Sequence, residues 1–209
     1  MKKIMFEDNL EMAVLTGYKT MTRRLVSDKL MERYEHSLRG TFGPACVQIQ
    51  QEQFKEYMLK HAPYKVGDVV AIAQSYKRVI LSVGEEKWNS MHPWNCVANL
   101  CEKTGYANKM YVRADLMPHQ IRFTDVKIEL LHSISEEDCL KEGVQRITIL
   151  MNDKRVTYRY AGQKDDRLDR FDTAQDAFGE MLDKVSRAKV WNKPGYNPWT
   201  FAYSFELIK

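Results

Sequence analysis

The sequence predicts an α+β fold in which short strands curl around a core and helices plug its ends. Three observations predict it. The segment from Trp199 to Leu207 alternates strictly, Ile121 to Leu130 alternates with one change of phase, and helical stripes fall between the candidate strands. No internal repeat or low-complexity linker interrupts the 209 residues, so residues 1–209 read as one unit with an insertion at about 81–110. Apolar residues make up 44% of the chain, enough for a real core.

Taken in order, Asp8 followed by Glu11 resembles a capping box, Leu10, Ala13 and Val14 form a helical stripe, and Gly17 is the expected left-handed stop. The stretch Lys19 to Arg24 therefore begins where a helix ends. Pro44 can open a second helix with Phe54, Tyr57 and Met58 on one face, bounded by Pro63. The apolar run Val69 to Ile72, after the turn-like Gly67-Asp68, reads as a buried strand. Residues 81–119 hold Trp88, Pro93, Trp94 and Pro118 without a sustained period, so they read as an insertion of short elements.

In the strand from Ile121 to Leu130, Ile121 and Phe123 share one phase, whereas Val126, Ile128 and Leu130 share the other; a bulge near Thr124 and Asp125 reconciles them. Ser135 caps a short helix with Asp138 at the box position and Ile134 opposite Cys139, and this helix ends at Gly143, just after Glu142. A hairpin about Asn152 and Asp153 sets Arg146 and Thr148 opposite Arg159 and Thr157, with Arg155 beside them. Arginines facing each other repel unless an anion lies between them, which makes this face a candidate phosphate surface. Asp172 and Gln175 cap a helix whose stripe of Ala174, Phe178, Met181, Leu182 and Val185 reads as core.

The net charge of +4 implies a mixed surface, so any claim of anion binding rests on local clusters. No apolar run is long enough to span a bilayer and the N-terminus lacks the pattern of a signal peptide, so a cytoplasmic protein with no membrane partner is expected. Cys46, Cys96, Cys101 and Cys139 are scattered without a Cys-x-x-Cys pair and read as reduced thiols. His92, Cys96 and Cys101 lack a fourth spaced partner, so no metal is expected, and nothing calls for a cofactor. No motif identifies a protein partner.

The ordered patches GYKTMTRRL, YKVGDVVAI, LMPHQIRF, ISEEDCLKEGV and NPWTFAYSFEL resemble the ASCH group of the PUA-like superfamily, in particular its longer bacterial and phage-borne members. The resemblance implies a PUA-like mixed β-barrel with flanking helices and a role in RNA metabolism or as an accessory protein of a mobile element. Some small ASCH proteins are amidohydrolases that deacetylate acetylcytidine. Their lysine, threonine and glutamate match Lys19, Thr22 and Glu142 here. The longer relatives usually carry an Arg-Glu pair where this chain has Ala73 and Gln74.

The chemistry of that triad is coherent. A lysine made neutral by desolvation can take the proton of a threonine hydroxyl, a glutamic acid can protonate a leaving amine, and amides after the helix stop can hold an oxyanion. Arg23 and Arg24 supply charge suited to phosphate. The first expectation is a cleft bordered by Lys19, Thr20, Thr22, Arg23, Arg24 and Glu142 that binds RNA or a nucleoside or nucleotide, extended by Arg146, Arg155 and Arg159. The second is an amidohydrolase acting on a modified nucleoside through Thr22, Lys19 and Glu142. The third is a protein-interaction module with a vestigial cleft, in which Trp88 and Trp94 meet the partner.

Overall fold

In the computed structural model, which describes residues 1–38, 47–150, 154–163 and 170–208, α-helices and β-strands are mixed along the chain. Seven strands run β1 Lys3–Ile4, β2 Met21–Leu25, β3 Val69–Ile72, β4 Gln120–Leu130, β5 Val144–Leu150, β6 Lys154–Tyr160 and β7 Trp199–Leu207. The helices are α1 Asp8–Leu15, α2 Asp28–Leu38, α3 Val47–His61, α4 Tyr76–Val83, α5 Glu85–Met91, α6 Val97–Leu100, α7 Glu136–Lys141 and α8 Ala174–Ser186.

Five strands form one sheet in the order β1-β3-β4-β7-β2, and β5 and β6 form a separate hairpin. Among the described residues no ladder joins β1 to β2 or the sheet to the hairpin, so the expected closed barrel is absent from the pairing and the sheet is open. The centre is the antiparallel pair β4 and β7, whose register shifts between Phe123 and Asp125. That shift is the bulge required by the change of phase in β4: Phe123 faces Phe205 before it and Val126 faces Tyr203 after it. The alternating aromatics of β7 fill the interior, with Phe201, Tyr203 and Phe205 all buried. Tyr203 packs on Phe123 and, edge to face, on Tyr64.

Three expectations are corrected. Helix α2 was not anticipated; it buries only Leu30 and Tyr34, one turn apart, and Tyr34 packs edge-on against Phe54 of α3. Asp8 and Glu11 do not cap α1, because Asp8 is drawn to Lys109 and Arg78, while Glu11 lies buried beside Gln74 and Arg78. Asp172 does not cap α8; the Thr173 hydroxyl takes that place by accepting from the Asp176 amide. Pro44 and Cys46 lie outside the described residues.

The insertion is a run of short α- and 3₁₀-helices from Tyr76 to Leu116, with its own apolar cluster around Trp88, Tyr76, Val79, Leu100 and Leu116. Trp88 is buried and its Nε1 donates to the Asn95 carbonyl, so it packs the insertion and cannot meet a partner. Trp94 stands 88% exposed.

Candidate functional site

Gly17, at φ 78°, turns the chain out of α1, where a side chain at Cβ would disfavour the left-handed backbone. The Lys19 amide then donates to the Ala13 carbonyl, and the Thr20 amide donates to Lys141 at the end of α7. The second of these bonds places the start of β2 against the end of a helix more than a hundred residues away in sequence.

The Ser135 hydroxyl accepts from the Asp138 amide and starts α7, and Gly143, at φ 107°, ends it. Glu142 is thereby aimed at Lys19. The Lys19 ammonium donates to the Glu142 carboxylate Oε2 at 2.6 Å and to the Glu142 backbone carbonyl at 2.7 Å. Both side chains are almost fully withdrawn from water, each residue being 2% exposed. Burial depresses the Lys19 ammonium below the usual lysine range, an effect that its pairing with Glu142 opposes only in part.

Arg23 was expected to reach for ligand phosphate, and the structure commits it elsewhere. Its guanidinium bonds the Glu142 Oε1 at 3.1 Å, Asp138 at 3.1 Å and Glu129 through both Nε and Nη2. Burial alone would lower its pKa, but Glu142 and Glu129 outweigh burial and raise it. Arg23 is therefore a clamp that holds the second oxygen of Glu142 while Lys19 holds the first. Neither Glu129 nor the pairing of Asp138 with Arg23 is marked in the sequence, because both residues sit at ordinary polar positions, one on a strand and one on the first turn of a helix.

Lys19, Thr22, Arg23, Arg24 and Glu142 border one cleft of about 50 Å³. Among the described residues the Thr22 hydroxyl forms no hydrogen bond, although the residue is buried. Arg24 donates to the Met5 carbonyl at 2.6 Å and lies over the Phe6 ring. The opposite wall is apolar: Phe178, Met181, Leu182 and Val185 of α8. The stripe expected to be core is thus core at Phe178 and Met181 and cleft wall along its length, and the exposure of Val185 marks where it opens.

Other predicted site residues lie apart. Thr20 is exposed and does not border the cleft. In the hairpin, Arg146 pairs with Tyr158 and Arg159 with Gln145, one residue out of the expected register, so the two arginines project from opposite faces. The connection is three residues, 151–153, instead of two, and this slip removes the facing arginine pair. Arg155 pairs with Ile149 by backbone register, and its side chain lies outside the described residues. At the helix stop the Glu142 amide donates to Asp138 and the Gly143 amide to Leu140, so neither of these two is open to an oxyanion.

Gln74, two residues beyond β3, donates to Glu11 at 2.8 Å. Among the described residues, no group of three or more His, Cys, Asp or Glu is disposed to hold a metal ion, and no helix is long and apolar enough to cross a membrane.

No family model matches the chain, and no curated protein matches it. Among solved structures, the crystal structure of protein EF3133 from Enterococcus faecalis V583, of family model DUF984, aligns over 100% of this chain and 77% of its own length at 13% identity, with a TM-score of 0.42.

Proposed function

We propose that the cleft binds a nucleoside-like ligand and hydrolyses an amide on it, as the resemblance to ASCH proteins implies. The observation that carries this reading is the buried Lys19–Glu142 pair, 2.6 Å apart, on the wall of a cleft that Thr22 also lines.

Burial favours the neutral amine of Lys19, and the proton it gives up passes across the 2.6 Å contact to Glu142. In that form Lys19 takes the Thr22 hydroxyl proton as Oγ attacks the acyl carbon. Glu142 gives its proton to the leaving amine as the carbon–nitrogen bond breaks. Water then cleaves the threonine ester, releasing the carboxylic acid and restoring the hydroxyl. The net change is amide plus water to acid plus amine. With the Glu142 and Gly143 amides occupied and Arg23 clamped, Arg24 is the cleft-lining cation that stabilises the oxyanion.

Acetylcytidine is the test substrate. Acetate release by the wild-type chain should fall by roughly 10²- to 10⁴-fold in Thr22→Val, Lys19→Met and Glu142→Gln. Absence of release by the folded wild type sinks the hydrolytic reading.

A further inference from the structure

We infer that Glu11 and Gln74 form a proton-operated latch between helix α1 and the insertion. One proton on the Glu11 carboxyl joins it to the Gln74 amide by two hydrogen bonds at once, and loss of that proton leaves one.

The count of donors is the first argument. Glu11 and Gln74 are 0% and 4% exposed, and the Gln74 Nε2 donates to Glu11 Oε1 at 2.8 Å. The other oxygen of each side chain, Glu11 Oε2 and Gln74 Oε1, is buried without a hydrogen-bond partner. Buried polar atoms ordinarily find a partner, so two orphans on residues already bonded to each other call for one explanation. Both orphans are acceptors, and what they lack is a donor. Turning the Gln74 amide over does not supply it, because that leaves an oxygen facing an oxygen. A proton on Glu11 Oε2 donates to Gln74 Oε1 and satisfies both, in the paired arrangement that a carboxylic acid and a primary amide adopt.

Charge is the second argument. The charged groups that face Glu11 are Asp8 on its own helix, Arg78 of α4 and Lys109 of the 3₁₀ turn Lys109–Tyr111. The two cations favour a carboxylate, yet neither is committed to Glu11. Lys109 lies 2.5 Å from Asp8, donates also to the Phe6 carbonyl, and stands 3.9 Å from Glu11 Oε2. Arg78 is shared between Glu11 Oε1 at 3.3 Å and Asp8 at 3.5 Å. Burial, the largest influence on the Glu11 carboxyl, raises it against both.

Position gives the latch its consequence. Gln74 leads from β3 into the insertion, and Arg78 and Lys109 belong to it. Glu11 belongs to α1, where two residues further on the Ala13 carbonyl accepts from the Lys19 amide. The latch thus fastens the insertion to the helix that also fixes the start of the cleft. It closes as pH falls through the folded value of Glu11 and opens as pH rises through it. Its action is independent of the chemistry proposed for the cleft.

Carbon-13 NMR of the Glu11 carboxyl follows its titration in the intact chain, and amide hydrogen exchange in α4, corrected for its intrinsic pH dependence, follows the latch. Protection in α4 should fall roughly 5- to 100-fold as Glu11 loses its proton. Glu11→Gln, whose amide nitrogen stands where the protonated oxygen does, should keep that protection at every pH. Gln74→Met separates a latch from simple burial. A proton bonded to Gln74 is held less tightly without it, so the Glu11 midpoint should move down. If Gln74 serves only as a donor to the carboxylate, the midpoint moves up, and that result overturns the proposal. So does protection in α4 that stays constant while wild-type Glu11 titrates, a readout that stands whether or not Gln74→Met folds.

Discussion

The Lys19 ammonium lies 2.6 Å from the Glu142 carboxylate, although 123 positions separate the two residues. Burying two charges is costly unless each finds the other, and here Arg23 adds a second bond to the same carboxylate. Glu142→Leu alone should destabilise the fold by about 3–5 kcal/mol, because it leaves the buried Lys19 ammonium without its carboxylate, whereas Lys19→Met should cost less because Arg23 still holds Glu142. The double variant should be less destabilised than the two single losses added together. Urea unfolding of all four proteins measures the coupling, and additivity within about 0.5 kcal/mol would show that the pair does not interact.

Glu11 offers a second test, through pH. Burial raises its carboxyl above the ordinary 4.5, against the opposing pull of the Gln74 bond, Arg78 and Lys109, while Asp8 adds to the rise; its Oε2 accepts no hydrogen bond. A raised folded pKa means that the native state binds the proton more tightly than the unfolded chain does. The stability this contributes is complete below pH 4.5 and is lost as pH rises through the folded value. Replacing Glu11 with Gln should remove a slope of at most about 1.4 kcal/mol per pH unit in that window. Unfolding midpoints at a series of pH values, compared between the two proteins, report it; parallel curves would contradict it.

Gly179 sits within α8, where Gly→Ala ordinarily stabilises a helix by about 1 kcal/mol. A Cβ there would fall 2.2 Å from the Trp191 ring, which packs edge-on against Phe178 at 5.7 Å between centroids. Gly179→Ala should therefore destabilise by about 1–3 kcal/mol, the usual cost of overpacking. Adding Trp191→Leu should relieve part of this loss, as thermal melts would record.

The cysteines should differ in reactivity. Burial pushes the Cys139 thiol up to about 12, and no part of the residue is exposed, whereas Cys101 is exposed. Iodoacetamide at mildly alkaline pH followed by peptide mapping should find Cys101 modified in the native protein and Cys139 modified only after denaturation. Labelling of native Cys139 would contradict this burial.

Much of the framework was legible in local pattern. The limits of β3 and β7, the bulge at Phe123 and Asp125, the Ser135 cap and the turn at Gly143 follow from period, phase and turn chemistry, which operate over a few residues. The hairpin register was misread because it hangs on the length of a single connection, and a change of one residue there turns Arg146 and Arg159 to opposite faces.

By itself the sequence determined the α+β character, the positions of α1, α3, α7 and α8 and of β3, β4 and β7, and the residue types of the Lys19, Thr22 and Glu142 constellation. The resemblance carried by its patches added the chemical roles expected of them. Only the tertiary structure decided that Arg23 clamps Glu142 instead of facing a ligand, that the α8 stripe becomes a cleft wall, and that the sheet stays open. The physical reason is that local pattern reports which face of an element avoids water, whereas the partner of a buried charge depends on which distant segments are packed together. Glu129, Asp138 and Glu142 lie 106, 115 and 119 positions from Arg23, beyond the reach of any helical or strand period.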